Sequence, residues 1–367
     1  MKKGIKMFLF FLAALMILAG LGGAWVLRET GASPSAEELS SYQKLAYFKD
    51  GEFQSPEPIL HDFGNVRNGP IDWRFFLTRS RFAPARKLPK KHLSRQDFGS
   101  VSADFAFYWL GHSSAIVETG GKRIVFDPVL ENAAPVPFVV SRYDEAPLSR
   151  KELPKVDYIV ITHNHYDHLE RKTVQAFGEG RFIVPLGVGA ALRSWGIDDS
   201  RIVELGWGDV FEDETLQITA ETAVHYSGRG LGDRNKTLWN SYVIRSADSK
   251  IYWAGDSGYG AHFAEIGRKH GPFDLAAIEI DGWNTGWPNT HMFPHQVVKA
   301  AQDLHAARII PVHWAVFDLA LHPWHESIDM LLEEAQKNNV RVLTPMIGEK
   351  INMDSITSPW WQELSAE

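Results

Sequence analysis

The sequence predicts an α/β fold of sheets with helices packed outside them, behind an N-terminal membrane helix. Three observations carry that reading. From residue 105 onward β-rich runs alternate with helical ones. The stretch 7–27 holds no charged residue. The 367 residues are 44% hydrophobic and 23% charged, which suits a globular chain with a sizeable core.

The elements follow in order. Lys2, Lys3 and Lys6 precede the uncharged stretch, which at about 1.5 Å per residue reaches roughly 30 Å, the thickness of a hydrocarbon core. It is an uncleaved anchor or a cleaved signal segment, and the small residues over 19–24 offer a cleavage site to the second reading. Basic residues before the span, against Arg28 followed by Glu29 after it, place the N-terminus in the cytoplasm. The expected location is therefore the cell membrane, with a single-pass anchor over 1–28 and the rest outside, or an exported soluble form after cleavage.

Residues 29–99 mix Pro, Gly, Ser and charge with aromatic clusters such as Trp73-Arg74-Phe75-Phe76, and read as a tether and wrapping arm. The basic stretch 79–91 reads as a solvated segment. A catalytic domain then fills 100–367. Its strands are expected over 105–110, 115–119, 123–126, 156–162, 181–184, 216–224, 239–245, 250–254, 275–280 and 308–312, and its helices over 170–177, 188–195, 261–270 and 294–305.

Composition narrows the chemistry. Cys is absent, so disulfides, thiolate nucleophiles and Cys-ligated metals are excluded. Thirty-eight Lys plus Arg against 45 Asp plus Glu give a net charge of −7, and without Lys2, Lys3, Lys6 and Arg28 the exported part is more acidic still. Such a surface repels nucleic acid.

The sharpest motif is Ile159-Val-Ile-Thr-His163-Asn-His165-Tyr-Asp167-His168, an apolar strand running into four potential ligands within six residues. Imidazole and carboxylate suit zinc and its neighbours, and a strand end holds their geometry through the sheet behind. His225, Asp256 and His313 each sit at the end of a later strand. Taken singly, each is an ordinary capping residue. With the first four they make the seven ligands that two metals need, and a metal pair lowers the pKa of a water it shares toward neutrality.

The order H-x-H-x-D-H, His, Gly-Asp, His resembles the metallo-β-lactamase fold over roughly 105–345. Several strings resemble N-acyl-phosphatidylethanolamine-hydrolysing phospholipase D and its bacterial relatives more closely: Trp109-Leu-Gly-His112-Ser, Phe126-Asp127-Pro128, the His163 string, Ala254-Gly-Asp256-Ser-Gly-Tyr259, the run from Gly271 to Ile278, and His313-Trp314. The resemblance implies a four-layer αββα sandwich with a dinuclear site at one edge. It implies that His163, His165 and His225 hold one metal, that Asp167, His168 and His313 hold the other, and that Asp256 bridges them. Two zinc ions are the expected pair, and the donor set also admits iron or manganese.

Asp127 and His112 lie on strands leading to the site, where they are expected to orient ligand imidazoles. His291 resembles a position lining the substrate pocket, suited to bind a phosphoryl group or to protonate the leaving alcohol. The chain departs from the family pattern at His295, where an acidic residue usually follows the proline. Trp283, Trp287, Trp314 and Trp324 are expected either as core or as an amphipathic rim that meets acyl chains. No partner follows from the sequence for His305, His322 or His325.

The resemblance implies a membrane-tethered dinuclear metal-dependent hydrolase of phosphodiester bonds, with a phospholipid or other amphiphilic phosphodiester as substrate and phospholipase D-type regiochemistry. Asp167 and Asp256 would then fix the attacking water and His291 would serve the leaving group. Hydrolysis of a carboxylic ester, amide or lactone at the same metal pair, and a tethered non-catalytic metal-binding envelope protein, stand as alternatives.

Overall fold

A computed structural model describes residues 2–69, 80–101, 104–136 and 138–365. The cluster Trp73-Arg74-Phe75-Phe76 and Arg79 lie outside the described residues. The strands are β1 (Phe48–Lys49), β2 (Glu52–Phe53), β3 (Ala106–Gly111), β4 (Ser114–Thr119), β5 (Lys122–Phe126), β6 (Tyr158–Val160), β7 (Arg181–Pro185), β8 (Ile202–Leu205), β9 (Val210–Glu212), β10 (Gln217–Glu221), β11 (Ser241–Arg245), β12 (Lys250–Trp253), β13 (Leu275–Glu279), β14 (Ile309–Val312) and β15 (Lys350–Ile351). The helices are α1 (Lys2–Thr30), α2 (Ala36–Tyr42), α3 (Arg171–Val174), α4 (Gly189–Ser194), α5 (His262–His270), α6 (Pro294–Asp303), α7 (Glu326–Lys337) and α8 (Gln362–Ser365).

One sheet has the order β15-β3-β4-β5-β6-β7-β8, and the other β14-β13-β12-β11-β10-β9. Their inner faces share one core, in which Phe126 of the first sheet stacks on Trp253 of the second with centroids 4.1 Å apart. The outer face of the first sheet packs against Val174, Leu192 and Trp195 of the α3 and α4 region. Phe263, Val297, Ile328 and Leu331 of α5, α6 and α7 cover the second. This is the expected four-layer αββα sandwich. A strand buried on both faces needs an unbroken apolar run, and β12 (Lys-Ile-Tyr-Trp) and β13 (Leu-Ala-Ala-Ile-Glu) supply it.

Polarity of the strands decides where the site lies. β5, β6 and β7 are mutually parallel, as are β12, β13 and β14. Two antiparallel steps bring β3 into line with β5 and β10 into line with β12. All these strands therefore end on one edge of the sandwich, where loops from both sheets meet.

The N-terminal segment is docked on this edge. α1 contains a window, Leu9–Thr30, long and apolar enough to cross a membrane. Its last turn packs on the sandwich: Arg171 pairs with Glu29 at 2.6 Å, and Trp195 Nε1 donates to the Arg28 carbonyl. The buried Arg229 guanidinium donates to the carbonyls of Glu29 and Thr30, and on its other side to those of Asn164 and Leu169. One side chain thus satisfies the open end of α1 and the loop that carries His165.

Candidate metal centre

Three strand ends of the first sheet contribute His112 after β3, Asp127 after β5, and the 162–168 loop after β6. The second sheet contributes His225 after β10, Asp256 after β12 and His313 after β14. His112, Asp127 and His313 all adopt left-handed backbone, with φ of 52°, 40° and 70°. Side-chain geometry at this edge is therefore set against local backbone preference, as is common at functional sites.

Two clusters result. His163, His165, His225 and Asp256 bring one ligand atom each within 4.8 Å of one another, and so do His112, Asp167, His168 and His313. His163 Nε2 faces His165 Nδ1 at 2.9 Å, and His225 Nε2 faces the same atom at 3.3 Å. Asp256 Oδ2 stands between the clusters, 3.7 and 3.8 Å from His163 and His225 and 3.2 and 3.1 Å from His168 and His313. The structure thus brings all seven expected ligands together, with Asp256 in contact with both groups.

The donor set fits metal ions. His168 Nε2, His313 Nε2 and Asp256 Oδ1 are buried without a hydrogen-bond partner, and both ring nitrogens lie within 3.2 Å of the other Asp256 oxygen. Orphaned buried polar atoms that converge on one point are costly unless a cation sits among them. The electrostatics agree. Burial holds the His163 and His225 imidazoles well below their usual range and pushes His165 down to about 4, leaving lone pairs free. Burial opposes charge on His168 and His313 too, but Asp256 and Asp167 outweigh it, holding His168 well above its usual value and raising His313 to about 10. Bare of metal, the site draws protons to these two rings because its carboxylates require positive charge.

The surrounding residues orient these ligands. Asp127 accepts from Thr162 N and Thr162 Oγ1, both at 2.7 Å, and its Oδ2 lies 2.9 Å from His168 Nδ1, fixing the ring that turns Nε2 toward Asp256. His112 is more intimate than the sequence suggests, because its Nε2 lies 3.1 Å from Asp167 Oδ2, inside the second cluster.

His291 sits with Asp256 and His313 in a third group, its ring 5.1 Å from that of His313 and 5.3 Å from that of His225. Behind it, 3.6 Å from Nδ1, lies the carboxylate of Glu279, fully buried and raised by that burial. Glu279 escaped the sequence reading, although a charge ending the apolar run of β13 was its signal. His322 pairs with Asp281 at 2.9 Å, His325 pairs with Asp329, and His305 is exposed at the end of α6.

A cavity of about 390 Å³ opens over the clusters, with His165, Asp167 and Asp256 at its base and Phe63, Val140, Tyr226, Trp287 and Leu319 in its walls. Of the two expectations for the tryptophans, the structure takes the core: Trp283, Trp287, Trp314 and Trp324 are all buried. Trp283 stacks on His322 and donates to Ser327, and Trp314 stacks on both Trp109 and Trp360. Their indoles find better cover in the core than at the mouth. Trp287 alone of the four reaches the cavity wall.

Residues 122–314 match the family described as the Beta-lactamase superfamily domain. An uncharacterized protein of Mycobacterium tuberculosis is 36% identical over 95% of this chain and 99% of its own length. N-acyl-phosphatidylethanolamine-hydrolyzing phospholipase D 1 of Caenorhabditis elegans is 32% identical over 67% of this chain and 74% of its own. Among solved structures, a metallo hydrolase from the archaeon Ignicoccus hospitalis superposes with a TM-score of 0.54 at 20% identity, over 69% of this chain and 99% of that one, which is a likeness of fold. Fold, dimetal site and relatives converge on one assignment: this chain belongs to the metallo-β-lactamase-fold hydrolases.

Proposed function

We propose that the protein hydrolyses a phosphodiester bond of membrane phospholipids, releasing the headgroup alcohol and leaving phosphatidic acid. The observation that carries the reading is the double cluster lying at the base of an apolar-walled cavity, which matches a polar phosphate attached to acyl chains. The 32% identity to the worm phospholipase D supports it.

In this reading His163, His165 and His225 hold one ion, and Asp167, His168 and His313 hold the other. Asp256 is shared, and zinc suits the donors best. When bound, such a pair supplies Lewis acidity and a water acidified toward neutral pH. The chain's own residues do the rest. Asp167 and Asp256 orient the attacking water beneath the phosphorus, and His112 steadies Asp167 from behind. His291, with Glu279 at its back, gives the leaving oxygen its proton. The walls bearing Phe63, Val140 and Leu319 seat the acyl side and exclude bulk water.

α1 is proposed to remain as a single-pass anchor, with the catalytic domain on the extracytoplasmic side. The test is hydrolysis by zinc-loaded protein of diacylphospholipids beside a small aryl phosphodiester. Release of free headgroup with phosphatidic acid supports the reading. Cleavage of the aryl ester alone reduces it to a phosphodiesterase of soluble substrates, and inertness toward both removes it.

A further inference from the structure

The end of α1 and the cavity share a wall. Thr30 Oγ1 lies 2.8 Å from the Tyr166 hydroxyl, and Tyr166 lines the cavity beside His165 and Asp167. On the same side Trp25 Nε1 donates at 2.9 Å to the carbonyl of Pro135. Pro135 belongs to the segment that supplies Ala133 and Val140 to the cavity. Lys172 closes this join, bonding Glu131 at 2.8 Å with its ammonium 5.8 Å from the Trp25 ring centroid. A tryptophan near the end of an apolar span settles at the membrane–water interface. Glu131 and Pro135 are therefore pinned at the height of the interface.

The exposed apolar side chains gather in the same place. Outside α1, the large apolar residues exposed among the described residues are Leu60, Phe63, Phe138, Val210, Leu231, Met330 and Ile356. Phe63, 68% exposed, lines the cavity, and Leu60 is tied through its backbone to Asn289, two residues before His291. Phe138, also 68% exposed, lies three positions after Pro135, the partner of Trp25. Leu231, fully exposed, follows Gly230, whose position abuts Thr30. Four of seven thus ring the mouth and the helix end. Exposed apolar patches of this kind mark interaction surfaces.

We infer that this rim is a second membrane contact: Leu60, Phe63, Phe138 and Leu231 enter the surface of the bilayer that α1 crosses, so that the cavity opens onto lipid. The inference rests on α1 spanning the membrane, as proposed above. The docked turn at Arg28–Thr30 fixes the domain's tilt, and the rim completes a two-point attachment that a flexible tether would not give. A lipid then reaches the site by moving within the leaflet, without first crossing water.

The absence of cysteine makes the test direct. Full-length protein carrying Phe63→Cys, Phe138→Cys or Ile356→Cys is labelled with a nitroxide and reconstituted into phosphatidylcholine–phosphatidylglycerol vesicles. Ile356 hangs off the strand region near Arg341, at the far end of β14 from His313, and serves as the aqueous reference. Labels at 63 and 138 should be severalfold less accessible to a water-soluble nickel chelate than the label at 356, and more accessible to oxygen. Leu231→Cys gives the same reading should Phe63→Cys fail to fold. Labels at 63, 138 and 231 as open to nickel as that at 356, or protein that stays in the aqueous phase, would overturn the inference. Depth is read without turnover. An immersed rim on a protein inert toward phospholipid would sink the substrate proposal and leave this one standing, and a wet rim on an active phospholipase would do the reverse.

Discussion

The two ends of β5 hold buried charge in opposite ways. Where the strand begins, Arg123 donates to Glu118 at 2.7 Å and to the carbonyls of Lys155 and Phe98, while its backbone N–H donates to Asp157. Lys122 pairs nearby with Asp213, which also accepts from the Tyr158 hydroxyl. Where the strand ends, about 13 Å away, Asp127 fixes His168, and beyond it His168 Nε2, His313 Nε2 and Asp256 Oδ1 are left without a hydrogen-bond partner. Glu118 and Arg123 are as deeply buried as the ligand set, so burial does not separate the two ends. Saturation does. A charge network whose every arm has a partner holds the fold, and one that leaves arms pointing at a common centre awaits an ion.

That contrast can be broken by substitution. Arg123→Met strands the buried Glu118 carboxylate and should cost about 3–5 kcal/mol of stability, read as a lowered denaturant midpoint. The folded fraction should still bind two metal ions per chain, and loss of metal there would mean that the two ends are not separable. Asp256→Asn should do the converse, keeping the midpoint of the metal-free protein while lowering turnover at least about a hundredfold and reducing the metal content. Near-normal activity would contradict its shared position.

Asp127→Asn tests the join between the two behaviours, since it leaves every ligand in place and alters the carboxylate that His168 and Thr162 share. Metal affinity should fall roughly ten- to a hundredfold, measured by competition with a chelating dye. An unchanged affinity would make Asp127 a sheet-turn residue only.

The smallest effect belongs to His322 and Asp281, a buried ion pair 2.9 Å apart close to the site. Burial opposes charge on both, but each raises or lowers the other's pKa in the stabilising direction: His322 lies above its usual value and Asp281 below. The His322 contribution is complete below an unfolded pKa of about 6.5 and is lost as pH rises through its raised folded pKa. The Asp281 contribution is present above about pH 3.9 and is lost as pH falls through its lowered one. His322→Gln should therefore cost about 1.5 kcal/mol between roughly pH 4 and 6.5, and progressively less on either side. A difference independent of pH would show that packing on Trp283, and not charge, sets the contribution.

The metal edge was legible because its signal is local: an apolar strand that must stay buried, then polar ligands at once. β8 and β9 gave no such signal, because Ile202–Leu205 and Val210–Glu212 are short, half-exposed strands near one border of each sheet. The helix expected over 170–177 is a single turn, Arg171–Val174, in which Arg171 and Thr173 turn inward to Glu29 and Glu170. The approach of Glu279 to His291 and of His112 to Asp167 depends on which strands become neighbours, and no residue spacing encodes that. Tryptophan counts left core and rim open for a physical reason: an indole serves either equally well, and only its partners decide. The docking of Glu29 on Arg171 and Arg229 joins segments 142 and 200 residues apart, beyond the reach of any periodicity.

The stack of Trp109 on Trp314, with centroids 5.3 Å apart, places two coupled indoles against the metal edge. Trp314 follows His313 directly, and Trp109 Nε1 donates to the carbonyl of His112. Any ion that draws in His313 must shift the field and spacing of this pair. The protein therefore carries a built-in optical gauge, in which tryptophan emission and the near-ultraviolet dichroism of the coupled rings should follow loading of the second cluster in real time without label or substrate.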